Sequence, residues 1–450
     1  MKIEVTVIVP VYNGAKYLPP FMESLLAQDY SAFDVICIDD ASDDSTFEIL
    51  QKYAQKDERI HIYQNDTRKG AAYSRNFGLK MANTEYVAFL DADDLIEKDF
   101  LSQLLCAVME TKADVAFCEQ DRFEGEEYDN NRKFLNQKVV KKAYMQKFRL
   151  ADLDINDAIS LLGNPGLYIV RRDFIEEHHL EFQSLSSSND TYFIEMIKIL
   201  AGGIIHVQEA RALIHQRQHY QVSRISYNRE PMNAYKAVLA IKHKLEALNL
   251  WEQMREYFIC RTQRILTTAF KDTKTEERKI QFLEFLQRDG LKELGFCEEL
   301  LYCDYLTKDK KYICQLFMHG SYQDIEAIEP FDVAVRANVE RIKKLFAGWR
   351  GKKIVFWGIG YRWKSLYQWC SAEMHFAYAL ADTYKAGKMW NNIEIISCRM
   401  AAEQAEIIVV LNELYLDEIL QQIRSFNISL PVFSMEKYIM TEMRMEESWD

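Results

Sequence analysis

The sequence is poor in the residues that make a chain flexible, with 7 prolines and 16 glycines among 450 residues. Disordered segments are usually rich in such residues, so a long flexible linker is not expected. Hydrophobic residues make up 48% and charged residues 28%, which is typical of soluble globular proteins. The chain is too long for one ordinary hydrophobic core, and two or three domains are expected.

Cysteine pairs and long apolar runs are also lacking. The 9 cysteines form no C-x-x-C pair, and several lie in apolar runs, as Cys37 does, which predicts buried free thiols in a reducing cytoplasm. The sequence shows neither a signal-peptide pattern nor an uncharged apolar stretch of transmembrane length. We therefore expect a cytoplasmic protein with at most peripheral contact at the inner face of a membrane.

Basic residues are fewer than acidic ones, 56 against 68, and the net charge is −12. Phosphate backbones attract basic surfaces, so a general nucleic-acid binder is not expected. A local basic run at 341–353 lies beside Leu345, Phe346 and Trp349. Two interpretations of it stay open: an interfacial helix that touches a lipid carrier, or the solvated end of an ordinary helix.

Short β-rich runs alternate with helical patterns over the first 120 residues. The predicted strands are 5–9, 34–38, 60–64 and 86–90, and the predicted helices are 15–28, 44–55 and 71–81. Strands that alternate with helices of this length form mostly parallel sheets. Ligands of such sheets bind beyond the carboxyl ends of the strands, so the residues that follow each strand are the candidates for chemistry.

The rest of the chain changes its pattern twice. Its predicted elements are strands at 167–170 and 204–207, a helix at 191–200, an almost wholly helical stretch at 230–347, and strands that start at 353, 378, 407 and 431. We therefore predict three domains, at 1–225, 226–350 and 351–450. The last is expected to be a small Rossmann-like α/β domain.

An acidic motif follows the strand predicted at 86–90. Asp91, Asp93 and Asp94 place three carboxylates within four residues, and they repel one another unless a cation neutralises them. Mg²⁺ and Mn²⁺ prefer oxygen ligands, and Mg²⁺ typically takes one or two carboxylates together with substrate phosphates. We expect a divalent-metal site here, and the alternative is an acidic loop that caps the next helix.

Two further motifs follow predicted strands. Asp39–Asp40 offers carboxylates to a nucleobase imide or a ribose hydroxyl, while Asp43–Ser45 suits the capping of a helix. A basic turn at 68–76 contains a glycine and opens a helix. Its backbone N–H groups, together with Lys69 and Arg75, suit a diphosphate.

Taken together, these motifs resemble those of the family 2 glycosyltransferases, which have the GT-A fold. The matching strings are Val7–Asn13, Ile38–Ser45, Gly70–Asn76 and Phe89–Asp94, and the resemblance covers about residues 3–225. It implies an α/β chain that begins with a GT-A nucleotide-diphospho-sugar transferase domain built on a mixed, mostly parallel sheet. A helical region and the small Rossmann-like domain would follow.

The resemblance also implies roles for the first motifs. Pro10 and Tyr12 would line the pocket for the base, with Asn13 in the same string. Asp40 would accept a hydrogen bond from the uracil imide. Lys69 would lie near the ribose and the phosphates.

In the same way, Arg75 would lie near the ribose and the phosphates. Asp91, Ala92 and Asp93 correspond to the D-x-D element of the family. Asp93 would be the direct ligand of Mn²⁺ or Mg²⁺, while Asp91 would lie nearer the ribose and contribute to the metal site.

Members of the family also carry an acidic pair before a helix in the acceptor half, and Asn189 with Asp190 matches that pair. The asparagine is a departure that leaves one carboxylate, so Asp190 is the predicted catalytic base. The alternative is that one of these two residues only caps the helix at 191–200. Further along, His215 is either an extra metal ligand or a hydrogen-bonded polar side chain.

Near the C-terminus, Gly358 and Gly360 follow a predicted strand and resemble the start of a dinucleotide fingerprint, with Asp382 further on. The third glycine position holds Trp363, which is too bulky for close backbone approach to a pyrophosphate. We therefore expect a structural or docking domain that binds no dinucleotide.

The resemblance implies an inverting transfer of a hexose or amino-hexose from a UDP-sugar to a hydroxyl of a glycan or lipid-linked glycan. By analogy, we expect a role in polysaccharide or glycan biosynthesis. A non-catalytic relative that binds nucleotide sugars or glycans is the alternative, and Asn189 supports it. A nucleotidyltransferase is disfavoured, because Pro10–Gly14 stands where such an enzyme carries a glycine-rich basic loop.

Overall fold

A computed structural model describes most of the chain. The described residues are 2–123, 146–153, 155–161, 163–215, 230–302, 306, 308–322, 325, 335, 339–358, 361–371, 374, 376–382, 386–390, 393–411, 416–426, 430–435 and 438. All structural statements below refer to these residues.

Strands and helices follow the predicted order. The strands are β1 Val5–Val11, β2 Phe33–Asp39, β3 Ile60–Gln64, β4 Tyr86–Phe89, β5 Leu95–Ile96, β6 Val115–Phe123, β7 Tyr168–Arg171, β8 Ile204–His215, β9 Lys353–Trp357, β10 Ala377–Ala381, β11 Met389–Trp390, β12 Ile393–Ile396, β13 Ile407–Val410 and β14 Val432–Ser434. The helices are α1 Leu18–Leu26, α2 Thr46–Ala54, α3 Ala71–Met81, α4 Phe100–Thr111, α5 Ile155–Ser160, α6 Arg172–Glu177, α7 Thr191–Leu200, α8 Met232–Ala247, α9 Trp251–Asp272, α10 Glu276–Phe285, α11 Lys308–His319, α12 Val339–Gly348, α13 Tyr361–Cys370, α14 Cys398–Gln404 and α15 Leu416–Ser425. A π-helical turn, Leu286–Gly290, prolongs α10.

The first sheet has eight strands in the order β3-β2-β1-β4-β7-β6-β8-β5. Strand β1 pairs in parallel with β2 and β4, and β2 pairs in parallel with β3. Strand β7 then runs antiparallel to both β4 and β6. The predicted mixed, mostly parallel sheet is therefore confirmed, with the parallel half at the N-terminal end of the chain.

A glycine lets α3 lie close against this parallel half. A Cβ atom at Gly78 would come within 2.5 Å of Cγ2 of Ile8 and 3.1 Å of Cδ1 of Ile38, so the two strands leave no room for a side chain there. Arg75 lies three residues earlier and shares this face of the helix, because residues three apart are neighbours on a helix surface. The close packing of α3 therefore carries Arg75 toward the sheet.

Strand β8 is longer than its apolar run indicated. The sequence predicted a strand at 204–207, whereas β8 continues to His215 because its second half pairs with both β6 and β5. The pairing with β6 shifts register between Cys118 and Glu119. Long-range pairing of this kind has no local sequence signal. The length predicted from the run of apolar residues was therefore too short.

A buried ion network fixes α7 to the helical region. Oε1 of Glu195 accepts hydrogen bonds from Nζ of Lys198 at 2.7 Å and from Nε of Arg261 at 2.9 Å, and the hydroxyl of Tyr257 donates to Oε2. Burial by itself would raise the pKa of Glu195, but the charges of Arg261 and Lys198 outweigh it and lower the pKa to about 2. Glu195 thus stays ionised and paired with neighbouring side chains, which makes it a structural residue.

The chain packs into two compact units, Met1–Tyr322 and Gln323–Asp450. The predicted helical region at 226–350 is therefore shared between them, with α8 to α11 in the first unit and α12 in the second. In the second unit Ile342, Phe346 and Trp349 are buried in the core against residues of the sheet, among them Phe356.

This packing answers the question left open by the basic run at 341–353. The apolar side chains of α12 are covered by protein, so that face is not offered to a lipid surface. Among the described helices, none is both long and apolar enough to cross a bilayer.

The second sheet contains five parallel strands in the order β12-β10-β9-β13-β14, with β11 antiparallel to β12 at the edge. Numbered along the chain, the parallel strands lie in the order 3-2-1-4-5, so the predicted Rossmann-like arrangement is confirmed. Trp363 is fully buried and packs on the rings of Phe356, Tyr378 and Trp390. Because 359–360 lie outside the described residues, the absence of dinucleotide binding stays a prediction.

The packing of α12 yields a test of the domain boundary. A fragment of residues 351–450 lacks Ile342, Phe346 and Trp349, and its core would expose the surface that they cover. We expect that fragment to melt without cooperativity in near-ultraviolet circular dichroism, whereas a fragment of residues 323–450 should show one sharp transition. Equal, cooperative melting of the two fragments would contradict the assignment of α12 to the second core.

Candidate active site

The loops that follow β1, β2 and β3 lie side by side at one edge of the first sheet. The register pairs Val11 with Asp39, and Asp39 with Gln64. Backbone hydrogen bonds continue past the strands, from Asp40 N–H to the carbonyl of Val11 at 2.8 Å and from Asn65 N–H to that of Asp39 at 2.9 Å. The sheet therefore brings the residues predicted for the nucleotide together at its carboxyl edge.

The first two loops are locked to each other around Asn13. Its N–H donates to Oγ of Ser42 at 2.9 Å, and its Oδ1 accepts from the N–H of Asp43 at 3.0 Å. Asn13 and Ala41 have φ angles of 48° and 58°, and Ser188, shortly before α7, has a φ of 53°. Such backbone conformations are uncommon for residues other than glycine and concentrate at functional sites.

Asp40 organises the loop that leads into α3. Its buried carboxylate accepts hydrogen bonds from Nδ2 of Asn65 at 2.7 Å, from the N–H of Lys69 at 2.8 Å and from the N–H of Gly70 at 2.7 Å. A carboxylate has about four lone-pair sites, so these contacts leave about one for a ligand. The uracil contact expected for Asp40 stays a prediction, and the same residue also shapes the loop.

Two exposed tyrosine rings lie beside this loop, and a basic side chain lies over the face of each ring. The guanidinium of Arg68 lies 4.0 Å from the ring centroid of Tyr12, and Nζ of Lys69 lies 4.6 Å from that of Tyr73. Tyr12 is 38% exposed and follows β1, where Pro10 is partly buried. Aromatic faces next to cations suit a base and a phosphate, which are the ligands that the family resemblance implies.

The acidic loop follows β4 at the same edge. Its turn is closed by a hydrogen bond from the N–H of Asp94 to the carbonyl of Asp91 at 3.1 Å. Ala92 and Asp94 are buried, whereas Asp91 and Asp93 remain partly exposed. Two accessible carboxylates fit Mg²⁺ or Mn²⁺ when the phosphates of a substrate and water complete the ligand set. Within the described ranges, no three His, Cys, Asp or Glu residues are grouped to hold a metal by themselves.

Arg75 joins this acidic loop to the segment that precedes α7. It is buried, its Nη2 donates to Oδ1 of Asp91 at 2.6 Å, and its Nη1 donates to Oδ1 of Asn189 at 3.2 Å. Its guanidinium also lies 5.2 Å from the ring centroid of Phe182. Arg75 thus acts on the site through Asp91 and Asn189, and the direct contact with the ribose and the phosphates expected for it stays a prediction.

Asp190 follows directly and occupies the N-cap position of α7. The sequence left capping open as its role, but its side chain does not make the usual N-cap hydrogen bond within the described part of that helix. Burial raises the pKa of the Asp190 carboxyl above its usual 3.8, the charge of Arg75 opposes the rise, and the charge of Asp91 adds to it. A carboxylate with a raised pKa is a better proton acceptor near neutral pH.

Comparison with known proteins settles the class of this domain. Residues 6–177 match the model of the family described as glycosyl transferase family 2. This part of the chain is a family 2 glycosyltransferase domain. The resemblance carried by the four sequence motifs is therefore confirmed.

Related glycosyltransferases cover the domain to different extents. Glycosyltransferase GlyG of Streptococcus pneumoniae is 26% identical over 218 residues, which are 47% of this chain and 71% of GlyG. The poly(ribitol-phosphate) beta-N-acetylglucosaminyltransferase TarS of Staphylococcus aureus is 38% identical over 113 residues. That match spans 24% of this chain and 20% of TarS.

Solved structures support the fold over a longer stretch. A crystal structure of TarS has a TM-score of 0.55 and 21% identity, and the likeness covers 72% of this chain and 55% of TarS. A TarS structure in complex with UDP-GlcNAc has a TM-score of 0.54 and 20% identity over 75% of this chain and 92% of that one. At this level of identity the likeness shows the fold, which is the GT-A-like mixed sheet predicted from the sequence.

No role was predicted for Asn76, which attaches α3 to the segment that precedes α7. Its Nδ2 donates to the carbonyl of Phe182 at 2.8 Å, and its Oδ1 accepts from the N–H of Phe182 at 2.9 Å. An asparagine inside a helix gives no signal of a partner more than 100 residues away. The metal-ligand role considered for His215 stays open, because its side chain and the segment 216–229 lie outside the described residues.

A separate cavity of about 430 Å³ lies away from the candidate active site. Its lining includes Glu85 and Asp114, which precede β4 and β6 and so mark the opposite edge of the sheet from the acidic loop. Arg171 in the same lining is paired with Asp114 at 2.7 Å. We assign no part in sugar transfer to this cavity.

The contacts of Asp40 predict the effect of removing its charge. Asn in place of Asp40 replaces one acceptor oxygen with an N–H₂ group that faces N–H donors, so the loop at 65–70 should loosen. We expect faster amide exchange at Lys69 and Gly70 and a loss of about 1–3 kcal/mol of unfolding free energy, which is the usual result of leaving buried donors unpaired. Asp43→Asn changes an exposed aspartate in the neighbouring loop and is the matched control. Wild-type protection in Asp40→Asn would contradict the role of Asp40 in shaping the loop.

Proposed function

We propose that this chain is an inverting glycosyltransferase that moves a sugar from a UDP-sugar to a hydroxyl group of a glycan. The observation that carries the proposal is the geometry around Arg75, which holds Asp91 of the D-x-D element and Asn189 beside Asp190 at the same time. This arrangement supports a site in which Asp91 belongs to the donor side and Asp190 accepts a proton.

A UDP-sugar is the donor that best fits the nucleotide side. Tyr12, Asp40 and the basic loop at 68–76 lie together at the carboxyl edge of the sheet, where α/β folds bind nucleotides. TarS, which shares this fold, has been crystallised with UDP-GlcNAc. We propose a UDP-hexose or UDP-amino-hexose for this chain and a glycan acceptor in polysaccharide or glycan assembly, free or lipid-linked.

Asp93 and Asp91 would hold a Mn²⁺ or Mg²⁺ ion between the protein and the diphosphate. Bound there, the ion would act as a Lewis acid that stabilises the negative charge on the departing diphosphate. The carboxylate oxygens of the acidic loop fit such an ion, and the ordered turn between Asp91 and Asp94 sets their positions. The charge of Arg75 compensates part of the negative charge of Asp91.

The transfer proceeds as one displacement at the anomeric carbon. The oxygen of the acceptor hydroxyl forms the new glycosidic bond, the bond between the anomeric carbon and the diphosphate oxygen breaks, and UDP leaves with that electron pair. Asp190 accepts the proton of the attacking hydroxyl. Attack opposite to the leaving group inverts the anomeric configuration, so an α-linked donor gives a β-linked product.

A non-catalytic protein that binds nucleotide sugars is the second candidate, and the observation that favours it is Asn189. This neutral residue stands where the family pattern has an acid, and its side chain accepts a hydrogen bond from Arg75. Against this second candidate, Asp190, which follows Asn189 directly, has a raised pKa, and a general base needs that property.

A donor screen tests the proposed function. The full chain is incubated with Mn²⁺ and common UDP-sugars, and the release of UDP is followed, through slow hydrolysis where an acceptor is lacking. The proposal expects UDP release from one or a few of these donors. Tight binding of a UDP-sugar without UDP release would favour the non-catalytic candidate.

The metal role predicts a dependence on divalent cations. We expect excess EDTA to abolish UDP release and Mn²⁺ or Mg²⁺ to restore it, and we expect Asp93→Ala to lose activity while its melting temperature stays near that of the wild type. Asp173→Ala removes an exposed carboxylate elsewhere in the domain and serves as the control. Full turnover of the wild-type protein in excess EDTA would refute the metal role.

The role of Asp190 predicts both a mutational and a pH effect. Asp190→Asn should lower turnover by about 100-fold, the usual scale for the loss of a general base, and should leave donor affinity nearly unchanged. Because the base works in its ionised form, activity should fall as the pH falls through the pKa of Asp190, which burial places above the usual 3.8. The low-pH limb of the kcat/KM profile should therefore lie above that value. Near-normal turnover of Asp190→Asn would exclude this residue as the base.

A further inference from the structure

The loop at 183–190 closes on itself just before α7. The N–H of Gln183 donates to the carbonyl of Asn189 at 3.0 Å, and the N–H of Leu185 donates to the carbonyl of Gln183 at 2.7 Å. Ser188 has a φ of 53°, a conformation that costs a residue other than glycine free energy and persists where the surroundings enforce it. The shape of this loop therefore depends on contacts from outside it.

Two of these contacts come from α3. Arg75 donates to the side chain of Asn189, and Asn76 pairs with the backbone of Phe182 just before the loop. They hold the two ends of the loop against α3. The middle of the loop, Ser186 and Ser187, has a different partner.

That partner is Asn233, the second residue of α8. Asn233 is buried, and its Nδ2 donates to Oγ of Ser186 at 2.9 Å and to Oγ of Ser187 at 3.2 Å. A carboxamide N–H₂ group carries two protons, so one side chain serves both hydroxyls. Ser187 is buried as well, and water competes poorly for hydrogen bonds in such a place.

We propose that Asn233 is a positioning residue for sugar transfer, which fixes the middle of the loop at 183–190 and thereby the orientation of Asp190. The proposal rests on the proposed function, since it takes Asp190 as the base. Asn233 lies outside the family match at 6–177, so the helical region would help to build the acceptor side of the site.

The same helical region also contacts α7 itself. The buried pairing of Glu195 with Arg261 and Tyr257 joins the second turn of α7 to α9. Asp190 thus stands between two attachments to the helical region, one before it and one after it. Asn233 is the attachment that contacts the loop itself, and its removal should therefore release Asp190 without separating the helices.

Amide exchange on the full chain tests the contact without reference to activity. Asn233→Ala is compared with His243→Ala, which changes an exposed residue of the same helix. We expect faster exchange across 183–191 in Asn233→Ala, with the rest of the chain unchanged, and wild-type exchange in His243→Ala. Unchanged exchange in the loop, or faster exchange throughout the chain, would overturn the proposal.

A double-mutant cycle then tests the catalytic meaning of the contact. With the UDP-sugar found in the donor screen, Asn233→Ala should lower kcat by about 10- to 100-fold, as misplacement of a reacting group does, while KM for the donor stays the same. In the Asp190→Asn background the same change should cost less than about twofold, because the base that it positions is gone. His243→Ala should match its parent in both backgrounds.

An equal loss in the two backgrounds, or a raised KM for the donor with kcat retained, would overturn the positioning role. A wild-type chain that releases UDP from none of the UDP-sugars would instead overturn the proposed function and remove the basis of this inference. The exchange experiment separates these cases, because it reports the contact of Asn233 with the loop whatever the activity.

Discussion

The guanidinium of Arg75 is the group on which the geometry of the candidate site depends. A buried guanidinium needs acceptors, since an unpaired charge away from water is costly. Here the acceptors are Asp91, from the loop after β4, and Asn189, from the segment before α7. One buried charge thereby fixes the distance between the acidic loop and the residue next to Asp190. Lysine would not substitute well, because a single ammonium lacks the planar fork that reaches two partners in fixed directions.

The buried charge of Arg75 also explains how the carboxylates of Asp91 and Asp190 can lie near each other. Asp91 is close enough to Asp190 for its charge to raise the pKa of that carboxyl, while Arg75 lowers it. A second acid at position 189 would add a negative charge beside both of them. Asn189 accepts a hydrogen bond from Arg75 without that charge, so this departure from the family pattern reduces the repulsion. Asp190 is then the one carboxylate of the pair.

Local patterns predicted the strands of the parallel half and the motifs that follow them, because each motif directly continues a strand in sequence. The edge of the sheet then brings Asn13, Asp40 and Asp91 together by topology alone. The contacts that decide their orientation were not predictable. Asp40 binds backbone N–H groups about 30 positions away, and Asn233 reaches Ser186 from a separate helix. Contacts of this kind depend on tertiary packing, which leaves no period or motif in a single sequence. For the same reason, the sequence did not predict that the helical region at 226–350 is divided between the cores of two units.

The central claim is a single displacement at one site formed by the acidic loop and Asp190, and the stereochemistry of the product tests it most directly. Methanol can replace the unknown acceptor, and the methyl glycoside that forms does not change its anomeric configuration afterwards. Proton NMR of the methyl glycoside made from an α-linked UDP-sugar would report that configuration. A β-glycoside is the predicted product. An α-glycoside would contradict the claim, because it requires retention at the anomeric carbon.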